Sequence, residues 1–399
     1  MKTREVKLGE VANVKGGKRI PKGIGLINIP NGHPYIRVRD LNNKRLLELD
    51  NSYEYVDNET QKVISKYTVK TGDVVLSIVG TIGLVAIVGR TLDGANLTEN
   101  CVKLSSFHGV NRDFLYYYLR SDCGQQEIRC GTVGAVQAKL PIKNIQNIAI
   151  NLPDYTTQER IASLLLSIDR KIELNQKIND NLEQQAATYF QELFINNANP
   201  VWQISTISDL GTVVGGSTPS KTKPEYYTNN GIAWITPKDL SINKSKFISH
   251  GENDITELGL KNSSATVMPK GTVLFSSRAP IGYIAIASNE VTTNQGFKSV
   301  IPYSEIGTAF VYFFLKHSLP VIESAASGST FKEISGSAMK NIPAIIPDRN
   351  TLDQFNSFCA PIFAQQKILE EQNHSLAMLR DSLLPKLMSG AIDIASIQL

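Results

Sequence analysis

The chain is written twice, and that limits its fold more than any other feature. Gly16-Gly17 recurs as Gly215-Gly216, and Asp40-Leu41 recurs as Asp239-Leu240. The run TGDVVLSIVGTIGLVAIV from Thr71 returns as KGTVLFSSRAPIGYIAIA from Lys270. LTENCVKL from Leu97 returns as TTNQGFKSV from Thr292, FLYYYL at Phe114 as FVYFFL at Phe310, and Lys143-Asn144-Ile145 as Lys340-Asn341-Ile342. The offset stays near 194–199 throughout 399 residues. A repeat this long is a tandem duplication of a whole structural unit rather than a solenoid, whose period is roughly 20–50 residues. The fold must therefore bring two similar bodies into one molecule, related by a pseudo-two-fold.

Each copy has two parts. The first is rich in Gly, Thr, Tyr and β-branched residues and reads as short strands with a few helices, such as 113–121 and 309–317. The aromatic residues on those helices, Tyr116, Tyr117, Tyr118, Tyr312, Phe313 and Phe314, have the spacing of core residues rather than of a base-stacking platform. The second part is a long helix. Between Asp154 and Asn199 there is no Gly or Pro. Ile161, Leu165, Ile168, Ile172, Asn175, Asn179, Leu182, Ala186, Tyr189 and Leu193 step by four and three, which is a heptad seam. The second copy gives Phe355, Phe358, Ile362, Leu369, Asn373, Leu376, Leu383 and Leu387. There Pro361 is expected to kink the first half, and Pro385 and Gly390 to close the end. Helices of this length with one apolar face need a partner, and the nearest is the other copy. Antiparallel pairing would place one globular domain at each end of a rod. The expected fold is α+β: two similar domains, each a twisted β-sheet with helices, separated by two long antiparallel coiled-coil helices. Expected boundaries are 1–153 and 200–347 for the domains, and 154–199 and 348–399 for the helices.

Composition removes several classes. With 42% hydrophobic and 20% charged residues the chain can bury real cores. Four scattered cysteines suit neither zinc nor a disulfide scaffold and read as reduced, cytosolic thiols. The start MKTREVKLGE has no apolar signal region, which also points to the cytoplasm. Val74–Gly89 is too short and too interrupted by Gly80 and Gly83 for a membrane span, and reads as two buried strands joined by a turn. Catalytic motifs are missing: no Walker A (GTVVGGST lacks the Lys), no GxSxG, no HExxH. Asn199-Pro200-Val201-Trp202 does not fit the tetrapeptide of amino-methyltransferases. His33, His108, His250, His317 and His374 stand alone in unrelated contexts, so no metal site is expected.

What remains is a set of basic, Gly-rich, hydroxyl-rich loops at matching places. Residues 1–45 hold eleven Lys or Arg against three acids. The densest loop carries Lys15, Lys18, Arg19 and Lys22; its counterpart carries Ser217, Thr218, Lys221 and Lys223, followed by Tyr227. Arg37 and Arg39 align with Trp234 and Thr236, close to Lys238. Ser77 and Thr81 match Ser276 and Pro280, beside Arg278. Gly131-Thr132 matches Gly328-Ser329, followed by Thr330 and Lys332. Such loops can hold phosphates and reach base edges, and they are equally the composition of ordinary solvated turns. The net charge of +4 fits a nucleic-acid partner without requiring one.

TQERIASLLLSIDRKIELN (Thr157–Asn175), LLPKLMSGAI (Leu383–Ile392) and GGSTPSKTKPEYYTNNGIAWITPKDL (Gly215–Leu240) resemble the specificity subunit of type I restriction-modification enzymes. The resemblance covers nearly the whole chain, in both copies, with Pro361 standing where the first copy has Ser167. It implies that each globular part is a target recognition domain reading one half of a split site on double-stranded DNA. It implies that the helices set the gap and dock two modification subunits. Those subunits would carry S-adenosylmethionine and methylate adenine, and a restriction motor-nuclease subunit would complete the complex. This chain would then be no enzyme and hold no cofactor. A coiled-coil adaptor with two ligand- or peptide-binding domains is the alternative, and a single-chain enzyme with a fused reader would need a cofactor motif that is missing.

Overall fold

The structure, a computed structural model, describes residues 2–41, 44–278, 280–328 and 332–394. The duplication is visible in the larger sheet of each copy, which has the same strand order. In the first copy a five-stranded sheet runs in the order Asn13–Gly16, Cys101–Ser105, Val74–Ser77, Val85–Val88, Leu46–Leu47. In the second the order is Gly211–Gly215, Lys298–Pro302, Val273–Ser277, Ile281–Ala287, Phe247–Ile248. A smaller sheet accompanies each, built around Pro34–Ile36 and Ile232–Ile235, and each of these strands pairs in parallel with the later strand Asn96–Leu97 or Thr292–Thr293. Val74–Val88 is the expected antiparallel pair of buried strands. Among the described residues no helix is long and apolar enough to cross a membrane.

The tyrosine-rich helix Arg112–Arg120 and its counterpart Thr308–His317 lie inside. Tyr116, Tyr117, Tyr118, Tyr312, Phe313 and Phe314 are all buried, so these aromatics are core.

The two long helices span Tyr155–Gln191 and Arg349–Met388. Both are entered through the same cap: Thr157 N–H and Oγ1 donate to Asp154 at 2.9 and 2.7 Å, and Thr351 does the same to Asp348 at 3.0 and 2.9 Å. At ~1.5 Å per residue the first is about 55 Å long. The second runs through Pro361 and Pro385 as one helix and ends at Met388, between Pro385 and Gly390, where its close was expected; Gly390 has a φ of 75°.

The chain divides into two compact units, one of residues up to Lys171 plus those from Ser375 on, the other of Ile172–His374. The helices are thus not domains of their own; each contributes one stretch to either unit. In the first unit Ile161, Ala162 and Leu165 share a core with Leu387 and Met388, with Leu383 against it. Ile168 is buried, and Leu376 is half-buried. In the second unit Asn175 meets Asn373 while Phe190 meets Phe355, so the helices run antiparallel there. Ile172 is half-buried, and Leu182 and Leu193 pack on that unit's core. One part of the seam differs from expectation. Toward its end the fully inward residues are Ala186, Phe190 and Phe194, spaced by four, and Tyr189 and Leu193 flank them. Ala186 and Phe190 still belong to the α-helix, and a π-helical turn over Glu192–Asn196 then carries Phe194.

Candidate nucleic-acid interface

The repeated glycine pair creates the seat of the site. After Asn13–Gly16 the chain turns against the strand Asn96–Leu97. Gly17 N–H donates to Cys101 O at 3.0 Å and Lys18 N–H to Leu97 O at 2.8 Å. A Cβ on Gly17 would overlap the carbonyl oxygens of Leu97 and Thr98; one on Gly216 would overlap those of Thr293 and Asn294. Only glycine lets the two backbones come this close. An aromatic side chain then fixes the next residue: Tyr35 Oη donates to Lys18 O at 2.8 Å, and Trp234 Nε1 to Ser217 O at 3.0 Å.

Backbone bonds join the other matched loops to this seat. Thr98 N–H donates to Ile36 O and Asn294 N–H to Ile235 O, both at 3.0 Å. Ile78 N–H donates to Asn100 O and Ser277 N–H to Gly296 O, both at 2.8 Å. Bridges from Val79 to Lys139 and from Arg278 to Glu333 attach the last loop in each domain. In each copy, four segments far apart in sequence therefore form one continuous edge. The alignment of Arg37 and Arg39 needs correction. Arg37 N–H and Thr236 N–H each donate to the next acid, Asp40 or Asp239, at 2.7 Å, so Arg37 matches Thr236 and Arg39 matches Lys238. Tyr35, not Arg37, occupies the place of Trp234.

The side chains of this edge divide into those engaged and those free. Arg37 and Arg39 both pair with Glu54, Arg39 at 2.6 Å, and Arg39 also reaches Ser52 O. Lys238 pairs with Glu252 at 2.5 Å. Arg278 and Lys298 share Glu333 at 3.5 and 3.7 Å. Arg19 Nε donates to Glu99 Oε1 at 2.5 Å, and in the second domain the Thr218 hydroxyl bonds to Gln295. Burial works to raise the Glu99 pKa, but the bond from Arg19 holds its carboxyl below the usual range. The Lys18 ammonium lies over the Tyr67 ring, and Lys223 donates to Tyr226 at 3.1 Å. Lys15, Lys22, Lys221 and Lys332 are exposed and have no ion-pair partner among the described residues.

Two expected contacts turn inward. Ser77 is fully buried, its hydroxyl donating to Thr81 O at 2.6 Å and accepting from Leu84 N–H at 2.9 Å, as Ser276 does with Pro280 and Tyr283. It fastens a hairpin and leaves Thr81 exposed at the tip. Tyr227 donates to Pro219 O at 2.6 Å and packs edge-on against Trp234, so it supports the seat. Ser329 and Thr330 lie outside the described residues. Sequence reasoning missed Glu99, Gln295 and Glu333, because a search for cations passes over the acids and amides that orient them, and it missed Lys298, which lies on a strand rather than in one of the matched loops.

Buried polar locks tie each domain to its helices. In the first unit Asp169 accepts from Tyr117 Oη at 2.6 Å and from Arg380 Nη1 at 2.8 Å. In the second, Lys246 pairs with Glu183, donates to Gln366 at 2.6 Å and lies 4.1 Å from the centre of the Phe363 ring. Glu183 also takes Lys316 at 2.6 Å, and Glu370 receives the backbone N–H groups of Lys246 and Phe247 at 2.7 and 3.0 Å.

Comparison with known proteins agrees with this architecture. The family described as the type I restriction modification DNA specificity domain matches residues 2–184 and 200–373. The MjaIX specificity subunit of Methanocaldococcus jannaschii is 43% identical over 162 residues, which is 40% of this chain and 37% of that protein. The HindI specificity subunit of Haemophilus influenzae is 24% identical over 342 residues, 67% of this chain and 73% of that protein. Among solved structures, the S subunit of a type I restriction-modification system from M. genitalium superposes with a TM-score of 0.59 at 16% identity. That match covers 97% of this chain and 99% of the other, and it is a likeness of fold.

Proposed function

The chain belongs to the type I restriction-modification DNA specificity family, matched over 2–184 and 200–373, and from that premise we propose that it is the DNA-recognition subunit of such an enzyme. Each globular domain reads one half of a bipartite, asymmetric site on duplex DNA. The long helices fix the distance between the halves and dock two modification subunits, which bring S-adenosylmethionine and methylate adenine. A restriction motor-nuclease subunit completes the assembly in the cytoplasm. The chain itself binds and positions; base flipping and methyl transfer belong to the modification subunits.

One observation carries this reading: four matched loops form a single edge in each domain, on the same backbone seat, with different side chains projecting from it. A preserved support with altered projections is what two readers of unlike sequences need. Joining them in one chain makes the second binding step intramolecular, so a wrong gap loses one half outright.

The test is to map methyladenine in the host genome with and without this gene. The expected result is one interrupted motif that disappears with the gene. Exchanging residues 202–347 for those of another family member should rewrite only one half of that motif. A motif unaffected by deletion, or rewritten in both halves by the exchange, refutes the proposal.

A further inference from the structure

Arg19 and Glu99 in the first domain occupy the place that Thr218 and Gln295 occupy in the second. Beneath them the two copies are the same: the glycine pair, the aromatic donor to the preceding carbonyl, and the parallel strand pair. Above that seat one copy presents a guanidinium with a carboxylate, and the other a hydroxyl with an amide. The duplication is thus an internal control. Support is kept where it must hold the loop, and the letters change at the exposed position.

Arg19 is also unlike the other arginines of its edge. Arg37 and Arg39 each turn one terminal nitrogen, Nη2, to Glu54. Arg19 uses Nε alone, toward Glu99, and its side chain is 77% exposed. Among the described residues its two terminal nitrogens have no hydrogen-bond partner. A guanidinium held at Nε presents its remaining donors as a fixed fork, which matches O6 and N7 of guanine in the major groove. Holding the side chain in advance also lowers the entropy lost on binding.

We propose that Arg19 reads a guanine in the half-site of the first domain, with Glu99 as its positioning residue, and that the second domain lacks this preference because Thr218 and Gln295 stand there instead. The inference rests on the DNA-reading function above.

The experiment uses the full-length chain with its modification subunits in the host, read out by methyladenine mapping and by thermal melting of each purified variant. Arg19→Lys keeps the charge and removes the fork. It should cut discrimination for guanine at one position of the first half-site by about ten- to a hundredfold. The second half-site and the melting temperature should not change. Glu99→Ala should relax the same position, again with unchanged melting. Thr218→Arg combined with Gln295→Glu should introduce a guanine preference into the second half-site. If Arg19→Lys leaves the motif intact while Arg19→Ala lowers modification of all sites alike, Arg19 is a phosphate contact. The inference then falls while the DNA-reading function stands. A wild-type gene that directs no motif takes down both.

Discussion

Asn175, fully buried in the helix seam, donates its side-chain amide to Asn373 on the opposite helix at 2.9 Å. Asn373 donates in turn to Ile172 O at 3.4 Å, and Gln366 donates to Asn179 O at 3.1 Å. A polar pair in a seam fixes register at a cost in stability. Asn175→Leu should destabilise the protein by about 1–3 kcal/mol, because it strips Asn373 of its donor. The double variant Asn175→Leu, Asn373→Leu should unfold at a higher urea concentration than the wild type. A double variant weaker than the single one would show that the pair stabilises rather than specifies.

Lys246 is a second place where removal and replacement should part ways. Burial draws its pKa down while Glu183 works against this, and the ammonium sits among Tyr312, Phe313 and Phe363. Lys246→Ala leaves a cavity and strips Glu183 of one partner, and should cost about 3–5 kcal/mol. Lys246→Met with Glu183→Gln keeps the volume and removes both charges, and should recover most of that loss. Chemical denaturation of the three proteins decides it, and equal losses in both variants would count against the ion pair as the cause.

Asp40 should give the first domain a pH dependence whose sign follows from its burial. Burial pushes its carboxyl up to about 6, against the pull of Arg39. An acid that binds its proton more tightly when folded than when unfolded stabilises the fold as pH falls through that value toward the unfolded pKa, and loses that contribution as pH rises. Asp40→Asn does not titrate. The melting temperature of the wild type relative to Asp40→Asn should therefore rise between pH 7 and about pH 5. A constant difference across that range would mean that the carboxyl titrates normally.

The free lysines should behave as phosphate contacts. Lys22→Ala or Lys221→Ala should weaken binding to all duplexes alike and reduce the slope of log affinity against log salt by about 1. Binding of wild-type protein with about 6–10 such contacts should fall by roughly 10³–10⁵ between 50 and 200 mM salt. Filter binding at graded salt measures both, and a flat response would remove phosphate contacts from the picture.

Much of this molecule is legible in its letters because local chemistry repeats. The glycine pairs and the aromatic-rich helices each obey a short-range rule twice over. The misses have a common cause. Arg19 finds Glu99 at a separation of 80 residues and Asp169 finds Arg380 at 211, and no periodicity announces such meetings. Ser77 reads as a surface hydroxyl until its hairpin closes over it. Phe190 and Phe194 escape a heptad count because steps of four from Ala186 replace the alternation of four and three, and the helix changes its winding at Phe194.

The division of the helices between the two compact units leaves one continuous in sequence and the other not. Ile172–His374 is a single stretch, and everything its core requires has been made once His374 is joined. The unit that begins at the N-terminus is interrupted by it and takes Leu387, Met388 and Ile394 from the last part of the chain. In chain order the later domain has its whole core by His374, while the earlier one still lacks the part that comes from the C-terminal stretch. A premature stop or proteolytic nick near the C-terminus is felt in the domain at the opposite end of the sequence.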